Sequence, residues 1–126
     1  MNKKLLVGSL AVLALIGTCA LYFLFSKPCL KVTLTKSDIA INFRLGNLKL
    51  PQNEEVELHT SVLNSEEKEV LFFRNIIEDK NLKKFSWKEE GLLLESGKYT
   101  IHSQLLKLTP LLTPQLLFEK KQKVKL

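Results

Sequence analysis

The chain has 126 residues, is 45% hydrophobic and 25% charged, and carries a formal net charge of +6. Residues 5–25 hold 17 hydrophobic positions out of 21, which leaves an ordinary soluble-domain composition for the roughly 100 residues that follow. That is enough for one small domain with a single core and too short for a multidomain enzyme, while normal apolar content without a Pro-, Gly- or Ser-rich block argues against disorder.

Asn2, Lys3 and Lys4 precede an uncharged run broken only by Gly8, Ser9, Gly17 and Thr18. As a helix it would span roughly 30 Å, the hydrocarbon thickness of a bilayer. A cleaved secretory signal has a shorter apolar region and then a small-x-small site. Here Ser9, Ala11 and Ala14 fall too early and the run continues through Phe25. The expectation is an uncleaved transmembrane signal-anchor over 5–26, with 1–4 as a cytoplasmic tail. Tyr22, Phe23 and Phe25 fit an interfacial aromatic belt, and Pro28 ends the helix. Lys27 and Lys31 weaken the charge bias that sets orientation, but a short tail before a first span places the rest of the chain outside the cytosol.

A rival reading starts from Ile16-Gly17-Thr18-Cys19, which loosely resembles a bacterial lipobox with Cys19 as the lipidated residue. Thr18 departs from the small residue expected there, and six apolar residues follow where mature lipoproteins start polar. The second cysteine, Cys29, lies just beyond the run, so no framework disulfide is available and the domain must stand on its core.

Beyond Pro28 the apolar residues recur at every second position, the mark of half-buried strands. Leu30, Val32 and Leu34 form one set, and Ile39, Ile41, Phe43 and Leu45 a second. Gly46-Asn47 and Pro51-Gln52-Asn53 read as turns. Val56, Leu58, Thr60 and Val62 make a third set, followed by a polar turn over 64–68 and a hairpin partner at Val70 to Phe73. Residues 76–90 are open between a short helix and a loop with a strand near Phe85 and Trp87, two residues whose alternation with lysine favours core. Tyr99, Ile101, Ser103 and Leu105 open a long strand. Pro110 and Pro114 forbid a regular central strand between them. Residues 115–126 read as an edge strand.

About seven strands with turns every 8 to 12 residues predict an all-β sandwich over 32–126, after a tether at 27–31. The stretch Leu94-Glu95-Ser96-Gly97-Lys98-Tyr99-Thr100-Ile101 resembles the Gly-x-Tyr segment of immunoglobulin-like domains, and Val56 to Val70 is similar to the central hairpin of bacterial immunoglobulin-like modules. The resemblance implies an immunoglobulin-like β-sandwich in which the Tyr99 hydroxyl caps a corner. It carries no functional residues across.

Groups for catalysis are few. His59 and His102 follow Leu58 and Ile101, so both point away from the apolar face and are expected to meet solvent. Ser61, Ser103 and Asp79 form no triad-like motif with them, and phosphate-cradling loops and Cys/His metal spacings are absent. The prediction is no enzyme, no catalytic residue, no cofactor and no metal. Glu54-Glu55-x-Glu57 and Glu66-Glu67-x-Glu69 read as solvated turns. Lys120, Lys121, Lys123 and Lys125 account for the +4 balance from Lys27 onward. They either guard an edge strand against pairing or form a basic contact patch.

The functional expectation is a membrane-anchored extracytoplasmic interaction module in an envelope assembly, with the lipid bilayer and a membrane or envelope protein as partners and no nucleic acid. The alternative is a ligand-binding lipoprotein or secreted protein. Leucines beyond the needs of alternation, at 92–94, 105–108 and 111–117, are an interface reserve.

Overall fold

The structure, a computed structural model, describes residues 27–126. The expected tail, the anchor over 5–26 and Cys19 lie outside the described residues. Among those described, no helix is long and apolar enough to cross a membrane.

Seven strands make up the domain: β1 (Cys29–Leu34), β2 (Asp38–Arg44), β3 (Glu55–Leu63), β4 (Glu69–Ile76), β5 (Lys84–Glu90), β6 (Lys98–Leu108) and β7 (Gln115–Lys125). No helix occurs among the described residues, so the open segment 76–90 resolves into the end of β4, a connection and β5. Phe85 and Trp87 lie half-buried against the core. β1 begins at Cys29, so residues 29–31, expected in the tether, belong to the sheet. Cys29 is exposed and unpaired.

All pairings are antiparallel, in a three-stranded sheet ordered β1-β2-β5 and a four-stranded sheet ordered β4-β3-β6-β7. Period-two alternation sends Val32, Ile39, Ile41 and Phe43 of one sheet toward Val56, Leu58, Val62, Ile101 and Leu105 of the other. Thr60 and Ser103 sit opposite each other on the inner face and are buried too.

The turns are built by their own side chains. Thr35 Oγ1 accepts from the Asp38 amide at 2.9 Å. Asn64 Oδ1 accepts from the amides of Glu66 and Lys68 at 2.9 and 3.0 Å. Gly46 supplies a φ of 59° in the turn closed by the bond from the Leu48 amide to the Leu45 carbonyl. The Tyr99 hydroxyl donates to the Glu95 carbonyl at 2.7 Å, the corner cap that the Gly-x-Tyr segment implied.

Candidate functional site

On β3 the outward positions are Glu55, Glu57, His59 and Ser61, and register sets Ile76, Arg74 and Phe72 of β4 opposite the last three. Glu57 is one diagonal step from Arg74, within reach of a long side chain. Arg74 Nε donates to Glu57 Oε1 at 2.6 Å and Nη2 donates to Oε2, a two-pronged ion pair. His59 Nε2 lies 2.9 Å from the same Oε1. The Glu57 side chain is only 1% exposed, and a buried carboxylate needs such partners. The Arg74 fork holds its carboxyl down at about 2, against an ordinary 4.5, with burial working the other way and His59 assisting.

Two sequence expectations are corrected here. Glu57 is not part of a solvated turn: it stands within β3, where the strand's own hairpin supplies a cation. The histidines do point away from the core, but neither meets solvent freely. Each side chain is 24% exposed. His59 sits edge-on to Phe72 with ring centroids 5.4 Å apart. His102 Nε2 lies 3.2 Å from Glu119 Oε1 without hydrogen-bond alignment.

Beside the ion cluster, β4 presents Val70, Phe72 and Ile76 on the same outer face, 41%, 49% and 48% exposed. The strand lies at the margin of its sheet, so its far side has no strand partner. Neither a lysine nor a proline interrupts it.

The lysines of β7 split between two faces. Lys121, Lys123 and Lys125 share the outward parity and extend toward Lys98, directly opposite Lys125. Lys123, Lys125 and Lys98 line an open hollow of about 510 Å³ with Tyr99 and, across from them, Glu67. Lys120 has the inward parity, and its Nζ donates to the Leu30 carbonyl at 2.6 Å, while Gln122 Nε2 donates to the Val32 carbonyl at 2.9 Å. The sequence reading grouped four lysines; the register keeps three together, adds Lys98 and turns Lys120 to the flank between the sheets. Among the described residues no set of three His, Cys, Asp or Glu side chains is placed to hold a metal ion.

No family model matches the chain, and no curated protein does. Among solved structures it is similar to a glycosyl hydrolase family 2 member from Bacteroides cellulosilyticus, at 14% identity and a TM-score of 0.52. The match covers 78% of this chain and 13% of that one, so this chain spans a small part of the hydrolase's length. At that identity the likeness shows a shared all-β sandwich fold.

Proposed function

We propose that the chain is a membrane-anchored, extracytoplasmic and non-enzymatic interaction module, an immunoglobulin-like sandwich that docks onto a protein partner of an envelope assembly through the margin of β4. The strand order in the two sheets and the Tyr99 corner support the immunoglobulin-like assignment. The apolar run over 5–25 supports the anchor.

The observation that carries the docking site is the row Val70, Phe72 and Ile76 on an unpaired edge. An edge strand offers a line of free amides and carbonyls to an incoming strand, and proteins that avoid such pairing blunt the edge with lysine, proline or a cover. β4 has neither lysine nor proline, and its one irregularity falls at Val70, which leaves Leu71 to Ile76 regular. A partner strand adding here would gain backbone bonds from the edge and specificity from the side chains beside it.

The test is photo-cross-linking in native membranes, with a photoreactive phenylalanine replacing Phe72 and, separately, Lys123. The reading expects a defined protein adduct from position 72 and none from 123. Equal labelling at both, or none at 72, removes the docking site from β4. The N-terminal peptide of the same sample separates an intact anchor from loss of residues 1–18, which lipidation at Cys19 requires.

A further inference from the structure

The strand registers gather the start of β1 and the connections 45–54, 77–83 and 109–114 at one end of the sandwich. The last of these is unusual. Leu111 is fully exposed and Leu112 is 68% exposed, side by side. Their turn is not slack: the Leu112 amide donates to the Thr109 carbonyl at 3.1 Å, Thr109 Oγ1 is tied to the Glu54 carboxylate, and Pro110 and Pro114 bracket it. Leu111 has a φ of 65°, a left-handed conformation that leucine rarely adopts. A braced turn thus holds two leucines away from the core, and nothing within the described residues covers them. A single exposed leucine such as Leu93, at the opposite end, is ordinary.

β1 and β7 run side by side in the same direction, because Lys120 reaches Leu30 and Gln122 reaches Val32. Moving back five positions along β7 from Lys120 arrives at Gln115, next to the leucine turn. β1 begins at this same end with Cys29, and Phe25, where the apolar run ends, lies four positions ahead of it in sequence. Four residues from Phe25 to Cys29 reach roughly 14 Å at most. The apolar run therefore ends, in sequence, within that reach of the end of the sandwich that carries Leu111 and Leu112. Around this end stand Lys27, Arg44, Lys49, Lys80, Lys83 and Lys84, against Glu54, Glu55, Glu78 and Asp79, an excess of positive charge at this end.

We infer that the 109–114 turn is a second membrane contact, with Leu111 and Leu112 seated in the interface of a bilayer containing anionic lipid and the surrounding lysines among its headgroups. The inference rests on the anchored reading above, and it adds an orientation: the loop end faces the bilayer. Apolar side chains at the headgroup boundary and nearby cations are the two contributions that hold an interfacial element.

The full chain, carrying Cys19→Ser and Cys29→Ser, is reconstituted into vesicles of phosphatidylcholine and phosphatidylglycerol with an environment-sensitive fluorophore on Leu112→Cys or, as control, on Glu67→Cys at the far end. The expected result is a blue shift at position 112 and loss of its emission with nitroxide-bearing lipids, with neither change at 67. A chain that floats with the vesicles while position 112 behaves like 67 overturns the membrane contact and leaves the anchor intact. A chain that does not float overturns both. A label that is dry yet insensitive to nitroxide lipid places protein over the turn, a second copy of the chain included, and also overturns the inference.

Discussion

β4 and β7 are the two margins of one four-stranded sheet, and they solve the edge problem in opposite ways. β7 sets Lys121, Lys123 and Lys125 on its outer face, carries an irregularity where Leu105 gives way to Leu106 in its partner, and spends Lys120 and Gln122 on the β1 backbone. β4 also carries an irregularity, at Val70, but is regular from Leu71 to Ile76, has no lysine, and shows Val70, Phe72 and Ile76. Each edge thus has one irregularity in its ladder, at Val70 in β4 and at Leu117 in β7. The difference lies in the side chains, which make one edge repel a newcomer and leave the other open.

The comparison breaks most sharply at Arg74, which binds β4 to β3 through Glu57. Arg74→Ala leaves a buried carboxylate without its cation and should cost about 3 kcal/mol in denaturant unfolding. Pairing it with Glu57→Leu should restore most of that loss, because the charge goes too. If the single variant is as stable as the parent, the ion pair does not hold the edge.

Acid supplies the same test without mutation. The folded Glu57 titrates at about 2 and its ordinary value is 4.5, so its contribution is complete above about 4.5 and lost as pH falls through about 2. Thermal melts over that window should lose no more than about 3 kcal/mol to this group, and the Glu57→Leu, Arg74→Ala chain should lose correspondingly less.

On the β7 side, Lys120→Met with Gln122→Leu removes two bonds to β1 and should cost about 1 kcal/mol each by equilibrium unfolding. The smallest effect on stability belongs to the outer lysines. Changing Lys121, Lys123 and Lys125 to threonine should leave unfolding within about 0.5 kcal/mol while bringing concentration-dependent association in sedimentation experiments. A monomer at every concentration would mean that the lysines are not what guards this edge.

Much of the fold is legible in the sequence because alternation is a local signal. Leu30-Val32-Leu34 and Ile39-Ile41-Phe43 each announce a strand and its inner face, and Tyr99 even announces its hydrogen bond. Residues 76–90 were ambiguous because Arg74, Asn75 and the charged connection 78–84 dilute the alternation on both sides of the gap. The ion cluster escaped for a different reason. Glu57 follows Glu54 and Glu55, and a run of acids reads as a turn; its cation lies 17 residues away on another strand. A signal was nevertheless present. Folding the hairpin about the 64–68 turn and counting back from it sets Glu57 beside positions 74–76, where Arg74 is the one cation. The lysine grouping erred by treating adjacency in sequence as adjacency in space, when parity sends Lys120 and Lys121 to opposite faces.

The bonds from Lys120 and Gln122 to β1 also have a mechanical meaning. β1 is the first strand of the domain, so a pull on the chain ahead of Cys29 enters the domain at the start of β1. Its six register pairs with β2, from Cys29 to Leu34, lie across the strand axis and share the load in shear instead of opening one after another. Lys120 and Gln122 grip the other side of the same strand at Leu30 and Val32. The first strand is thus fastened along both of its sides, to its own sheet and to β7 of the other, so a pull on its start would be resisted by both sheets.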